Sequence, residues 1–168
     1  MTSQHRPQFL LVAALATFCL GKPAIATDSY EPNDDPTQAT ELPNDVTLES
    51  WISTPTDIDW YHFEHADPEQ RITIELTSLP VDVDYDMQLY FRNAQGQLDL
   101  VATAENPANQ DEVITGIGPA GHYFLVVYGF ESTDFDPVDS YLLHGIYGEA
   151  PPVPVVSTSW GKIKASYE

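Results

Sequence analysis

Between residues 46 and 147, apolar and polar residues alternate in short runs separated by turn formers, the signature of an all-β chain. The run 71–77 is the clearest case. Ile72, Ile74 and Leu76 fall on one face, and Arg71, Thr73, Glu75 and Thr77 on the other. The same period groups Met87, Leu89 and Phe91 in 86–92, and sets Tyr61 and Phe63 against His62 and Glu64 in 58–65. The run 123–128 is apolar on both faces, which predicts a central strand, and 141–147 closes the series.

The breakers fall between these runs. Asn93-Ala94-Gln95-Gly96 reads as a hairpin loop, Asn106-Pro107-Ala108-Asn109 as a turn, and 116–121 holds three glycines and a proline. About eight strands result, starting near Val46, Ile58, Arg71, Asp86, Gln97, Asp111, His122 and Ser140. No segment carries ten residues of capped helical periodicity. Each strand has one apolar face to bury, so the expected architecture is two packed antiparallel sheets, a β-sandwich spanning 46–148.

The flanks follow other rules. Residues 1–26 have the layout of an export signal: a polar start with Arg6, an apolar run over 9–20, and Ala24-Ile25-Ala26 as a small-x-small cleavage site. The apolar run falls short of the ~20 residues a spanning helix needs, so no membrane span is expected. Residues 27–45 form an arm rich in Pro, Asn, Asp and Thr. Residues 149–156 read as a stiff proline-rich linker, followed by a tail at 157–168 with Trp160, Lys162 and Lys164.

Charge changes the picture further. The chain carries a formal net charge of −20, and losing Arg6 and Lys22 with the signal would leave −22. Such a surface repels nucleic acid and anionic lipid, and it strains its own compact state unless cations neutralise part of it. Cys19, the single cysteine, lies in the signal, so the exported form would have no disulfide and must rely on its core, on bound ions, or on both.

Oxygen ligands concentrate in three places: Glu31-Pro32-Asn33-Asp34-Asp35 in the arm, Asp57-Ile58-Asp59 where a strand begins, and Asp82-Val83-Asp84-Tyr85-Asp86 before another strand. Asp134, Asp136 and Asp139 form a looser set. A hard cation such as calcium takes six to eight oxygens, which one short segment rarely supplies but two can. Asp57 and Asp59 are two apart and face the same way on a strand. The arm offers Glu31, the amide oxygen of Asn33, and Asp34. Asp and Asn are also common turn formers, so spacing alone leaves both readings open.

The order of these motifs resembles the bacterial pre-peptidase C-terminal domain, a family related to the collagen-binding domains of clostridial collagenases. The matching pieces are Tyr30-Glu31-Pro32-Asn33-Asp34, Asp57-Ile58-Asp59-Trp60-Tyr61-His62-Phe63, Asp84-Tyr85-Asp86-Met87-Gln88-Leu89-Tyr90, and Gly121-His122-Tyr123-Phe124-Leu125-Val126-Val127, with Tyr141-Leu142-Leu143 as the closing strand. The resemblance implies a jelly-roll-like sandwich, usually appended to secreted proteases, in whose calcium-binding relatives the arm packs around the ion. Carried over, the ligands would be Glu31, Asn33, Asp34, Asp57 and Asp59, with Tyr61 nearby. Only the signal and the arm stand upstream of the module, so a role beside an attached protease is not expected.

Catalytic motifs are missing: the sequence has no Gly-x-Ser-x-Gly, His-Glu-x-x-His or phosphate loop. His62 and His65 fall on opposite strand faces and make poor zinc partners. The expectation is a secreted or cell-surface calcium-binding module that is not an enzyme. Its partner would be an extracellular protein or matrix polymer. The alternatives are an accessory factor for a separate secreted peptidase and a small secreted hydrolase.

Overall fold

The computed structural model describes residues 28–148; the expected export signal, the proline-rich linker and the tail lie outside the described residues. Nine strands run in the order β1 (Thr40–Glu41), β2 (Val46–Ser50), β3 (Ile58–His65), β4 (Arg71–Thr77), β5 (Tyr85–Arg92), β6 (Leu98–Ala104), β7 (Glu112–Ile117), β8 (Gly121–Gly129) and β9 (Tyr141–Ile146). They form a five-stranded sheet, β1-β3-β8-β5-β6, and a four-stranded sheet, β2-β9-β4-β7. Apart from β5–β6 and the arm strand β1, consecutive strands alternate between the sheets, which is jelly-roll order.

The alternation read from the sequence sets which side chains point inward. Ile72, Ile74 and Leu76 of β4, Met87 and Leu89 of β5, and Tyr61 and Phe63 of β3 are all buried in one core. Tyr123 to Val127 of β8 are buried on both faces, as expected of a strand hydrogen-bonded to β3 on one side and β5 on the other. The 93–96 segment closes the β5–β6 hairpin, with Gly96 at φ 81° and its N–H bonded to Asn93 O at 2.9 Å. There glycine supplies the left-handed geometry without steric cost.

The count differs from the expected eight by one strand. The arm contributes β1, which pairs parallel to β3 with Thr40 beside Tyr61 and Glu41 beside His62. Two residues carry no period, so no hydrophobic pattern could announce this strand. Past β1, Leu42 is fully buried, its N–H bonds His62 O at 2.9 Å, and its carbonyl accepts the Tyr147 hydroxyl. The arm is therefore fastened along the edge of the larger sheet.

Candidate metal centre

The inward face of β3 carries Asp59, Tyr61, Phe63 and His65 in register. A carboxylate in that row breaks the apolar rule, and it stands where the strand leaves the loop holding Asp57. Asp59 is 0% exposed and Asp57 6%. Asp57 turns one oxygen back on its own loop, accepting the Ser53 N–H at 2.6 Å and the Ser53 hydroxyl at 2.7 Å. Asp59 accepts the Tyr141 hydroxyl, and the Ser50 oxygen lies 3.4 Å from it with its proton on the shorter contact to Asp28. Tyr61 and Tyr141 share a hydrogen bond of 2.8 Å. With Tyr141's proton directed at Asp59, Tyr61 acts as the donor, so its ring reaches the carboxylate through Tyr141.

The arm closes the site from outside. Asn33 O accepts the Trp60 N–H at 2.8 Å, which holds the arm turn against β3. Glu31 accepts the Asn33 N–H at 3.0 Å. Glu31, Asp57 and Asp59 then each place a carboxylate oxygen within 4.8 Å of the others. Asn33 is 0% exposed, yet neither its side-chain oxygen nor its nitrogen has a partner. One oxygen of Asp57 and one of Asp59 are likewise buried without a partner.

Electrostatics make this arrangement unstable by itself. Burial pushes Asp59 well above the usual carboxylate range, the Tyr141 hydrogen bond opposes this, and the charges of Asp57, Asp28 and Glu31 add to it. Glu31 is also raised, chiefly by burial, with Asp57, Asp34 and Asp28 contributing repulsion. No lysine or arginine among the described residues relieves them. Arg71 and Arg92 are the only Lys or Arg among the described residues; Arg71 reaches Thr115 at 3.4 Å and Arg92 lies 4.4 Å from the Phe124 ring centre. The imidazole of His144 lies 3.2 Å from Asp45 and 3.8 Å from Glu75, away from this group. Buried carboxylate and amide oxygens with no lysine or arginine of the described residues in reach match the all-oxygen donor preference of a hard divalent ion.

Of the five residues expected from the sequence, Glu31, Asp57 and Asp59 converge and Asn33 is buried beside them. Asp34 is exposed and lies outside the converging group, acting on Glu31 only as a nearby charge. Sequence reasoning missed Asp28. It is 8% exposed, accepts the Tyr30 N–H at 2.8 Å and the Trp51 N–H at 3.1 Å, and takes the Ser50 hydroxyl as a further donor. Two of its partners, Ser50 at the end of β2 and Trp51 just past it, lie 22 and 23 positions along the chain, and no local spacing marks that contact. His62 and His65 do point to opposite faces, with His65 buried and its Nδ1 2.8 Å from Tyr147 O.

No curated protein matches this chain. Among solved structures it is similar to the pre-peptidase C-terminal domain of a collagenase from Bacillus anthracis, at 18% identity and a TM-score of 0.49, covering 64% of this chain and 93% of that one. It is also similar to a protein from Sulfurospirillum deleyianum, at 10% identity and a TM-score of 0.43, covering 65% of this chain and 99% of that one. A family model does match, over residues 57–129, from Asp57 in the carboxylate group to the end of β8. Over that stretch the resemblance to the bacterial pre-peptidase C-terminal domain read from the sequence is borne out.

Proposed function

We propose that this protein is an exported, non-catalytic module in which calcium fastens the acidic arm to the sandwich, and that the ordered module contacts an extracellular protein, a matrix polymer or a cell surface. The observation that supports this most is the meeting of Glu31 from the arm with Asp57 and Asp59 from β3, beside the unpartnered amide of Asn33. The ion's ligands in this reading are Glu31, Asn33, Asp57 and Asp59, with Asp34 acting through its charge. Export accords with the signal-like segment at 1–26. No helix among the described residues is long and apolar enough to cross a membrane.

Extracellular calcium modules bind with constants of roughly 10⁻⁴ to 10⁻³ M. At free calcium about 100 times the constant, binding adds ~2.7 kcal/mol, a large share of a typical ~5–15 kcal/mol domain stability. The test is thermal unfolding in calcium and in chelator. A clear fall in midpoint on chelation is expected, and Asp57→Ala should shrink that difference. Asp34→Ala should reduce it less. Equal midpoints at millimolar calcium and in chelator would falsify the bound-ion reading.

The family description favours a second reading, in which the module assists a separate secreted peptidase. Co-purification with an exported peptidase, or a change in that peptidase's rate on adding the module, would favour it over matrix binding. A hydrolytic activity in the purified protein would overturn both.

A further inference from the structure

A second group of carboxylates gathers where β5, β6 and β7 meet. Asp84 and Asp86 stand at the entrance to β5. Ala104, the last residue of β6, pairs with Met87, so the next residue, Glu105, continues opposite Asp86. Glu112 opens β7 in the other sheet, on the same inward face as Ile114. The segment 105–111 that crosses between the sheets thus has an acid at its start and another just past its end.

Glu112 occupies the least expected place of the four. It is 0% exposed, yet its position in the core row calls for an apolar side chain. One of its oxygens accepts the Asn106 N–H at 2.5 Å, and the other is buried with no partner. Asp86 is 3% exposed, and Asp84 also holds a buried oxygen without a partner. Asp84, Glu105, Glu112 and Asp134 are the charges acting on Asp86, which burial first and then these neighbours push up to about 6. Burial raises Glu112 as well, the Asn106 hydrogen bond offsets part of this, and Asp84 and Glu105 add repulsion. Neither arginine of the described residues reaches this end.

A buried carboxylate with an open oxygen and only like charges around it must either hold a proton or meet a cation from solution. Four acids contributed by two sheets and a crossover exceed what one structural carboxyl would need. We propose that Asp84 and Glu112, with Glu105 and Asp86 around them, form a second calcium site that pins the 105–111 crossover to the entrance of β5. These carboxylates are not drawn together as closely as Glu31, Asp57 and Asp59. Water therefore completes more of the coordination shell, and the second site binds more weakly than the first.

The test is calcium stoichiometry of the full chain, by equilibrium dialysis after chelator treatment at pH 7.5. Two ions per chain are expected. Glu112→Gln should lose one and keep the tighter one, Asp57→Asn should lose the tighter one and keep the other, and the double variant should bind none. If Glu112→Gln does not fold, Asp84→Asn makes the same measurement from the other side of the site. A Glu112→Gln or Asp84→Asn protein that binds as many ions as wild type overturns the second site. So does a wild type that binds one ion, lost in Asp57→Asn, which would leave the arm site standing. A wild type that binds none overturns both.

Discussion

Asp59 carries the tension of the site in one side chain, because it occupies an inward position on β3 next to Tyr61 and keeps an oxygen with no partner. Replacing it by Asn removes the buried charge while leaving an oxygen to accept the Tyr141 hydroxyl. In chelator Asp59→Asn should therefore be more stable than wild type, by about 1–3 kcal/mol, since an isosteric neutral group avoids the desolvation cost. In calcium the order should reverse, because the variant lacks the ion's contribution. Midpoints in the two buffers read both halves, and a variant less stable than wild type in chelator would contradict the argument. At this scale the sequence offered the donors, since Asp57 and Asp59 faced one way and Glu31 and Asn33 offered oxygens, but spacing left their role open and the ligand set came from the motif resemblance. It could not separate Asp34 from them, because which side of a turn a side chain takes depends on the β3 surface it meets. Nor could it find Asp28, whose distant partners sit at and just past the end of β2.

Protonation gives a second prediction at the same scale. Asp86, Glu31 and Glu112 all have folded-state pKa values raised above the ordinary carboxylate range, Asp86 to about 6. A raised carboxyl favours the fold in its neutral form. Its contribution is complete below the unfolded carboxylate range and is lost as pH rises through the folded value. In chelator the midpoint should fall as pH goes from about 5 to 7. Calcium stabilisation, which needs the ionised forms, should grow over the same interval. A midpoint in chelator that is flat or rising across that range would show that these carboxyls do not carry the pH dependence.

Among the elements, the arm depends on few contacts. β1 gives it two parallel pairings, and Leu42 then inserts a fully buried side chain. A Cβ added at Gly145 would lie 2.9 Å from a Leu42 methyl, which shows how closely β9 packs on it. Leu42→Ala should cost about 2–5 kcal/mol, the usual loss for a large core side chain. It should also weaken calcium binding, because it loosens the arm that delivers Glu31. Unchanged calcium affinity in a destabilised Leu42→Ala protein would mean that the turn at Asn33, held by Trp60, is enough to place Glu31. The long strands were legible because one face of each meets the core and the other meets solvent, and a period of two survives any topology. β1 was not, since its pairing is dictated by its neighbour Tyr61 and not by its own pattern. The jelly-roll order entered through the motif resemblance, as alternation records which face is buried but not which strand lies alongside.

For the whole molecule the question is whether calcium acts at sites or as a diffuse counterion. A chain with a formal net charge of −20 repels itself, and any salt relieves part of that. The two effects separate by range. At 1 M ionic strength the screening length is ~3 Å, against ~10 Å at 0.1 M, so sodium chloride removes most repulsion between exposed carboxylates. Oxygens buried without partners at Asp57, Asp59 and Glu112 stay out of reach of that screening. Raising sodium chloride to 1 M in chelator should therefore increase the unfolding midpoint, and a few millimolar calcium added on top should increase it again. If calcium served only the surface, its increment would vanish once the salt had done the screening. Persistence of the increment in wild type, with its loss in an Asp57→Asn, Glu112→Gln double variant, assigns the effect to the buried carboxylates and not to overall charge.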